Sequence, residues 1–282
     1  MAKPTERKLN YLERHLPEGL LVDAAWLREH GYSTSLRRQY VTAGWLEHPA
    51  REVYRRPRGD LRWEQAVISL QTLLDVPLVV GGRTALELQG HVHYLTRETV
   101  EVHLHGPKPA PPWLYRLPLD VEFRHHNDRR LFHRGTVPHR LPDLDWQRTE
   151  TTNATRALSH AHLTVQPWGQ WDWPLTLSTP ERATLEMLDT LPNRESFHQV
   201  DMLFEGLPNL SPRRLQALLA DCRNVKVKRL FFFFADRHKH AWAKKLDRND
   251  FDLGKGKRML VRGGKLDPTY QITVPEDLDA FQ

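Results

Sequence analysis

The sequence predicts an α+β protein that begins with a winged helix-turn-helix and continues into a larger mixed α+β region. Two observations predict this class. The first sixty residues read as helix, helix, tight turn, helix and β-hairpin, which is the element order of a winged helix. The remaining residues alternate between the twofold periodicity of strands and the 3.6-residue periodicity of helices. We predict three domains, comprising residues 1–60, 61–175 and 176–282.

Three short helical patterns open the chain. The first carries an apolar stripe at i, i+3 and i+7. Asp23 can cap a second helix that stops at Gly31, and Ser33 or Thr34 can cap a third that stops at Gly44. The second and third helices are predicted over residues 24–30 and 35–43, and the stripe of the first is formed by Leu9, Leu12 and Leu16.

Two β-type runs follow the third helix and predict the wing. They cover residues 45–47 and 52–55, joined by a turn-rich stretch at 48–51. Leu36 and Tyr40 are spaced to face the core, which leaves a polar outer face that suits phosphates and base edges. A helical domain that binds protein is the alternative. The predicted DNA-binding residues are Thr34, Ser35, Arg37, Arg38, Gln39, Arg51, Arg55 and Arg56.

Composition limits the classes of protein. The chain has 282 residues and a single cysteine, Cys222, so neither an internal disulfide nor a cysteine-rich zinc site can form. No run approaches the roughly 18 apolar residues of a membrane span. The first seven residues lack the apolar core of a signal peptide. We therefore expect a cytoplasmic protein with no membrane partner.

Positive charge is concentrated near the C-terminus. The whole chain has a net charge of +6, whereas residues 222–265 contain 14 Lys and Arg against 4 Asp and Glu. Residues 1–60 are mildly basic, with 11 against 8. This distribution is typical of a protein that meets a polyanion or an acidic partner, although a solvated basic face is the simpler alternative.

The middle section alternates helices and strands after a short predicted linker, residues 57–60. Helices are predicted from Trp63 to Leu74 and from Arg83 to Gln89, with Gly81-Gly82 before the second. Strands are predicted over residues 77–80, 100–104 and 119–123.

The last third is predicted to be mainly helical at first. Thr179-Pro180 and Ser211-Pro212 each place a cap before a proline at the first helical position. Apolar spacing favours a buried helix over residues 225–236, with a phenylalanine-rich strand as the competitor. A terminal hairpin is predicted from residues 257–261 and 270–274 around Gly263-Gly264. Its basic surface is formed by Lys255, Lys257, Arg258, Arg262 and Lys265.

Two groups of motifs, one near each end of the chain, carry a family resemblance. The N-terminal group is Gly44-Trp45-Leu46 and Val53-Tyr54-Arg55-Arg56-Pro57. The C-terminal group is longer and more specific. It includes Val227-Lys228-Arg229-Leu230, Trp242, Lys245-Leu246-Asp247, Leu253-Gly254-Lys255-Gly256-Lys257-Arg258, Gly263-Gly264-Lys265-Leu266-Asp267 and Tyr270-Gln271-Ile272-Thr273-Val274-Pro275. With these motifs, both ends of the chain resemble the AbiEi-type antitoxins of type IV toxin–antitoxin and abortive-infection systems.

The resemblance implies a two-part function in phage defence. The N-terminal winged helix would repress the protein's own operon by binding operator DNA, at inverted repeats upstream of it. The C-terminal region would neutralise a cognate nucleotidyltransferase-type toxin, by direct contact or indirectly. Such a protein is not an enzyme and needs no cofactor.

One stretch loosely resembles a nucleotidyltransferase core. Gly81-Gly82 would cradle a triphosphate, and carboxylates on the next strands would hold a divalent metal. Glu101 and Glu122 suit two of these positions, but His103 stands where the second carboxylate belongs. We therefore predict at most an inactive core, without catalytic residues. An active nucleotidyltransferase or metal-dependent nuclease that uses its winged helix for docking is the alternative function.

Histidines are abundant, at 16, and several lie close together in sequence. Two histidines one residue apart on a strand share a face, a spacing that a metal can use. Scattered, solvated histidines are the preferred interpretation, so no metal site is predicted. Cys222 has no partner set by the sequence and is not expected to be a nucleophile. The local pairs are His91/His93, His103/His105, His125/His126 and His238/His240.

Overall fold

The computed structural model describes residues 8–91, 100–146 and 152–279 and has the predicted α+β architecture. An N-terminal winged helix-turn-helix is followed by a five-stranded mixed sheet with its helices, then by a further group of helices and a terminal hairpin. Among the described residues, no helix combines the length and the apolar character needed to cross a membrane. The N-terminal elements are α1 (Lys8–His15), β1 (Leu21–Asp23), α2 (Ala24–Glu29), α3 (Thr34–Thr42), β2 (Glu47–Ala50) and β3 (Val53–Arg55).

The three helices of the N-terminal unit are where the sequence predicted them. Asp23 caps α2 by accepting a hydrogen bond from the Trp26 amide at 2.8 Å, and Gly31 takes a positive φ of 80° just after that helix. Ser33, one of the two predicted caps, accepts from the Leu36 amide at 3.3 Å.

The boundaries of the first hairpin strand differ from the prediction. The first strand starts at Glu47 instead of ending there, so most of the predicted turn at 48–51 is strand. The chain turns at Arg51-Glu52, where Glu52 adopts a φ of 67°. The sequence prediction also missed β1, because three residues are too short to show a periodicity. This strand pairs with β3 and completes a sheet of order β1-β3-β2.

The middle of the chain builds a five-stranded sheet of order β6-β5-β4-β8-β7. Strand β5 lies antiparallel to β4 and parallel to β6, and β8 lies parallel to β4. Helices α4 and α5 pack against β8, and α5 also packs against α7. The elements are α4 (Trp63–Thr72), β4 (Val79–Val80), α5 (Gly82–Leu88), β5 (Glu101–Gly106), β6 (Glu122–Asn127), α6 (Thr152–His160), β7 (Leu163–Trp168), β8 (Trp173–Ser178) and α7 (Pro180–Thr190).

The predicted elements of this section are present, with one strand shifted. Strand β6 begins at Glu122, where the predicted strand was centred on residue 121. The prediction did not include β7 and β8, an antiparallel pair that completes the sheet. Strand β8 runs through the predicted domain boundary between residues 175 and 176.

The last third is helical, as predicted, and ends in a small hairpin. Residues 225–236 form a helix and not a phenylalanine-rich strand. Phe231 and Phe234 of this helix pack against Phe204 of the preceding helical layer. The elements are α8 (Phe197–Glu205), α9 (Pro212–Asp221), α10 (Val225–His238), β9 (Lys265–Asp267) and β10 (Ile272–Val274).

The terminal hairpin was predicted eight residues too early on its first strand. Lys265–Asp267 pairs with Ile272–Val274, so the chain reverses over residues 268–271 and not around Gly263-Gly264. Residues 257–261 instead lie beside β10 as an irregular segment, with one bridge between Arg258 and Ile272. Two short strands around an asparagine- or glycine-free turn carry little signal for sequence-based prediction.

The predicted linker at 57–60 does not detach the winged helix. The Arg58 side chain forms an ion pair with Glu18 at 2.9 Å and stacks over the Trp171 ring at 5.3 Å. The Leu21 amide donates a hydrogen bond to the Ser69 hydroxyl at 2.8 Å, which joins β1 to α4. One continuous group of buried apolar side chains runs from the winged helix into the rest of the chain, so the two parts are packed together.

Candidate nucleic-acid interface

The exposed face of α3 is polar, and its two longest side chains have no partner among the described residues. Helix α3 follows α2 across a tight turn, the arrangement of a helix-turn-helix. Thr34, Ser35, Arg38 and Gln39 are exposed on it, as predicted, and Leu36 and Tyr40 pack partly against the core. Within the described residues, the side chains of Arg38 and Gln39 form no hydrogen bond or ion pair. Their donors and acceptors are therefore available to an external partner.

Arg37 does not lie on this face, contrary to the prediction. Its side chain is only 9% exposed and donates to the Thr34 hydroxyl at 2.9 Å. Its guanidinium also lies 5.6 Å from the centre of the Tyr54 ring on β3. Arg37 lies on the side of α3 that faces the wing, whereas the next residue, Arg38, is exposed. Arg37 thus connects α3 to the wing, and its charge does not lie on the exposed face of the helix.

The basic residues of the wing also divide into exposed and internal groups. Arg51 is exposed at the tip of the hairpin, where the prediction placed it. Arg55 is 4% exposed, pairs with Glu47 at 3.1 Å and donates to the carbonyls of Arg58 and Gly59. The Arg56 guanidinium is mostly buried and binds the Leu16 carbonyl at 3.0 Å. The prediction that Arg55 and Arg56 lie on the DNA-facing surface is therefore wrong.

Two aromatic residues at this surface were missed from the sequence. Trp45 is 43% exposed after the end of α3, and His48 is exposed on β2, where its ring centre lies 4.9 Å from that of Tyr54 in a tilted arrangement. The prediction treated the segment containing Trp45 as a short β-type run of the wing. The positive φ of Gly44 (76°) ends the helix and turns the chain, a signal that indicates a loop for the following residue.

The predicted basic C-terminal residues lie on a single exposed segment. Residues 252–264 form an irregular loop that leads into β9. Lys255, Lys257, Arg258 and Arg262 are exposed on this loop, and Lys265 is exposed at the first position of β9. Among the described residues, none of these five side chains forms an ion pair. The segment therefore presents unneutralised positive charge to the solvent.

The Gly81-Gly82 turn is occupied by a side chain of the protein itself. The Gly82 amide donates to Glu186 Oε2 at 2.9 Å. A methyl group added at Gly81 would come within 2.3 Å of the same oxygen, so glycine is needed there for close packing of Glu186. Arg182 neutralises this buried carboxylate at 2.7 Å. The backbone donor that would bind a phosphate in a nucleotidyltransferase-like core is therefore satisfied internally.

The side chains at the predicted metal positions of that core are also bound by other side chains of the protein. Strands β5 and β6 are neighbours and place Glu101 opposite Glu122 and His103 opposite Arg124. The Arg124 guanidinium binds both carboxylates, with a distance of 2.9 Å to Glu101. Nδ1 of His103 lies 2.9 Å from Nε2 of His126. The Arg124 guanidinium therefore binds the carboxylate oxygens that a metal ion would need as ligands.

The central histidines are buried or half-buried and uncharged, not solvated as predicted. The His126 ring stacks on those of both His103 and His105, with ring centres 5.1 and 4.7 Å apart. Burial, together with the neighbouring His126 charge, lowers the pKa of His103 to about 4. Burial and the Arg194 charge lower the pKa of His126 to about 4. The protein interior therefore holds these rings neutral at physiological pH.

No metal cluster is found in the described parts of the chain, residues 8–91, 100–146 and 152–279, where no group of three His, Cys, Asp or Glu side chains is arranged to hold an ion. The pair His91/His93 extends outside those residues. His238 is bound by Asp201 at 2.7 Å and His240 by the Phe204 carbonyl at 2.7 Å. Burial raises the pKa of the Cys222 thiol to about 11, so the thiol is unreactive.

Two family models together match residues 5–275 of the sequence. Residues 5–97 match the N-terminal domain of the transcriptional regulator AbiEi antitoxin. Residues 97–275 match a model described as a transcriptional regulator, the AbiEi antitoxin of a type IV toxin–antitoxin system. The chain belongs to the AbiEi antitoxin family. The resemblance seen in the winged-helix and C-terminal motifs is thereby confirmed, and with it a role as a regulator of the antitoxin class.

A solved structure supports the fold over nearly the whole chain. The crystal structure of the RV2827C protein from Mycobacterium tuberculosis aligns with a TM-score of 0.57 at 15% identity. The alignment covers 95% of the AbiEi-family chain and 90% of the mycobacterial chain. A search of curated proteins gave no match.

Proposed function

We propose that this AbiEi-family protein represses its own operon by inserting α3 into the major groove of operator DNA. The observation that carries the proposal is the outer face of α3, where Thr34, Ser35, Arg38 and Gln39 are exposed on a helix that Arg37 fixes against the wing. Arginine and glutamine are side chains that can form paired hydrogen bonds with guanine and adenine edges. The family assignment as a transcriptional regulator supports the same role.

The wing and the start of α3 supply the backbone contacts in this proposal. Arg51 at the hairpin tip is placed to neutralise a phosphate, and the hydroxyls of Thr34 and Ser35 suit phosphate oxygens. Trp45 and His48 extend the exposed surface beyond the predicted set. Inverted repeats upstream of the operon are the expected operator, since dimers of helix-turn-helix proteins bind symmetric half-sites.

A gel-shift titration tests this interface with a matched pair of variants. Arg38→Ala should weaken binding to the DNA upstream of the operon by roughly 5- to 150-fold, the range for one lost paired contact. Arg28→Ala is the control, because Arg28 is an exposed arginine at the end of α2, outside the proposed contact set. Equal operator affinity for Arg38→Ala and the wild type would contradict the interface.

We also propose that the C-terminal region neutralises a cognate nucleotidyltransferase-type toxin. Two observations support this proposal. Residues 97–275 match the AbiEi antitoxin model, and the five basic side chains from Lys255 to Lys265 are exposed. Co-expression with the toxin tests this function independently of DNA binding. The Arg38→Ala protein should still rescue growth, because its fold and its C-terminal segment are intact. Failure of the wild-type protein to rescue would remove the antitoxin function.

The polar core beneath α5 is proposed to be structural. Glu186 satisfies the Gly82 amide, and Arg124 binds Glu101 and Glu122. These internal contacts favour a regulator without nucleotidyl-transfer activity over an active enzyme.

A further inference from the structure

The start of β2 connects the two elements of the proposed DNA interface, α3 and the hairpin tip. Leu46, the residue before β2, is 1% exposed, and its amide donates to the Tyr40 carbonyl in the last turn of α3 at 3.2 Å. From Glu47, β2 runs toward the tip, where Arg51 is exposed. The orientation of β2 at Glu47 therefore decides where Arg51 lies relative to α3.

The main chain holds β2 only weakly on β3. The strand register shifts by one residue along the hairpin, so two residues of β2 lie opposite Tyr54 alone. One of these two is Pro49, which has no amide hydrogen to donate. An irregularity of this kind interrupts the hydrogen-bond ladder between two strands. A short hairpin with such a ladder depends on side-chain contacts for its orientation.

Arg55 supplies side-chain contacts of this kind from β3. It lies opposite Glu47 in the hairpin, and its Nη1 donates to Glu47 Oε2 at 3.1 Å. Its Nη2 donates to the Gly59 carbonyl at 2.7 Å and also to the Arg58 carbonyl. The planar guanidinium has donors in fixed directions, so one side chain can bind acceptors on two sides. Arg55 thus joins the start of β2 to the turn that follows β3.

The turn after β3 is itself bound to the rest of the protein. The Gly19 amide donates to the Arg56 carbonyl at 2.8 Å. The Arg58 guanidinium forms an ion pair with Glu18 at 2.9 Å. The carbonyls that Arg55 binds therefore belong to a segment that is fixed independently of the hairpin tip.

We propose that Arg55 is a positioning residue for DNA binding, which holds the start of β2 so that Arg51 reaches a phosphate. The proposal rests on the operator-binding function above. Arg55 is only 4% exposed, and its guanidinium is enclosed by Glu47 and the two carbonyls, so it acts without a DNA contact of its own. A hairpin that is already fixed loses little conformational entropy when it docks.

Salt dependence distinguishes positioning from an independent contact. Each phosphate contact contributes about one unit to the slope of log affinity against log salt. Two residues that act through the same contact have effects that do not add, whereas two separate contacts have additive effects. If Arg55 acts through Arg51, substitution of either residue removes the same phosphate contact. Substitution of both then removes nothing further.

Gel-shift titrations across salt test the proposal on the full-length protein. The variants are Arg55→Met, Arg51→Ala and the double variant, beside the wild type. Each single substitution should flatten the slope by about one unit, and the double variant should be no flatter than Arg51→Ala. Arg55→Met should weaken binding to operator and to random-sequence DNA by the same factor, because the side chains of α3 that face the bases are unchanged.

Arg56→Met is the matched control. Arg56 is the neighbouring arginine and is also mostly buried, but its guanidinium binds the Leu16 carbonyl at 3.0 Å and Glu18 at 3.2 Å. Because these contacts do not involve β2, Arg56→Met should keep the wild-type slope. Glu47→Ala removes the same link as Arg55→Met from its solvent-exposed side, and it should flatten the slope by about one unit.

Circular dichroism establishes which variants are folded, and Glu47→Ala with and without Arg51→Ala replaces the Arg55→Met pair if that protein does not fold. A wild-type slope in folded Arg55→Met or in Glu47→Ala overturns the proposal. Equal flattening in Arg56→Met also overturns it, and so does a second unit of slope lost in the double variant. These results leave the repressor function standing. Failure of the wild type to bind the operator removes the repressor function and the inference together.

Discussion

Two polar surfaces of this protein look alike in sequence and differ in what their side chains bind. The outer face of α3 presents Arg38 and Gln39, whose side chains form no hydrogen bond or ion pair with another described residue. The β5–β6 face presents Glu101 and Arg124, which bind each other at 2.9 Å, and His103, which binds a second histidine. In both regions, the sequence places polar and charged residues at a spacing that puts them on one side of a helix or strand.

The difference shows how a polar cluster can be assigned to structure or to function. Groups that satisfy one another stabilise the fold and leave no bonding capacity for a ligand. Groups that stay free in a folded protein are available to an external partner. The same distinction separates Arg37 from Arg38 within one helix, since the first is bonded to Thr34 and the second is exposed.

The strongest expected contrast is in stability. Arg182 is fully buried and binds Glu186 at 2.7 Å, so Arg182→Met leaves a buried carboxylate without its cation. We expect the free energy of unfolding to fall by about 3–5 kcal/mol. Arg38→Met, on the exposed face of α3, should change it by less than about 0.5 kcal/mol. Urea denaturation of both variants measures this contrast. Equal losses of unfolding free energy in the two variants would contradict it.

The buried histidines predict a loss of stability in acid. The pKa of His103 is lowered to about 4 in the folded protein, whereas the unfolded chain takes up this proton near pH 6.5. The stability contributed by the neutral ring is therefore complete above about pH 6.5. It is lost as the pH falls toward 4, by on the order of 3 kcal/mol.

A histidine variant separates this effect from the titration of carboxylates. His103→Gln should show a weaker decline of unfolding free energy between pH 6.5 and 4 than the wild type. His139→Gln, at an exposed histidine, should decline as the wild type does. Parallel curves for all three proteins in chemical denaturation would show that His103 is not protonated on unfolding.

Arg37 is expected to have an intermediate effect. Arg37→Met removes the bond to Thr34 and the contact with Tyr54, so unfolding should become easier by about 1–2 kcal/mol. Operator affinity should fall as well, because α3 loses its fixed orientation to the wing. Thermal unfolding and gel shift, run on the same preparation, report the two effects. A large loss of affinity with unchanged stability would mean that Arg37 contacts DNA directly.

The smallest expected effect is on nucleotidyl transfer. The purified protein should incorporate no label from any of the four NTPs into RNA or protein with Mg²⁺ or Mn²⁺, because Glu186 occupies the Gly82 amide and Arg124 binds Glu101. Glu101→Ala should behave identically. Incorporation by the wild type that disappears in Glu101→Ala would establish catalysis at this sheet face.

Much of this fold could be predicted from local signals in the sequence. The caps at Asp23 and Ser211 and the apolar spacing around Phe231 act over a few residues, and the corresponding helices were placed correctly. The short strands β1 and β9 were missed or misplaced, because their pairing depends on residues distant in sequence. Long-range contacts decide such elements.

The candidate site was only partly predictable for the same reason. Exposure of Arg38 and Gln39 follows from helical periodicity. Burial of Arg55 depends on the carbonyls of the following turn, and that of Arg37 depends on Tyr54 of the wing. Local spacing alone could not reveal that three of the predicted arginines, Arg37, Arg55 and Arg56, bind the protein itself. Nor could it show that Glu186, 104 residues beyond Gly82, would bind that amide.

The central claim is that free side chains of α3, and not the bonded ones, read the operator. The most direct measurement is the salt dependence of operator binding for Arg38→Ala and Arg51→Ala beside the wild type. Arg51→Ala should flatten the plot of log affinity against log salt by about one unit of slope, as expected for one lost phosphate contact. Arg38→Ala should reduce the preference for operator over random DNA. Wild-type affinity, slope and preference in both variants would contradict the account.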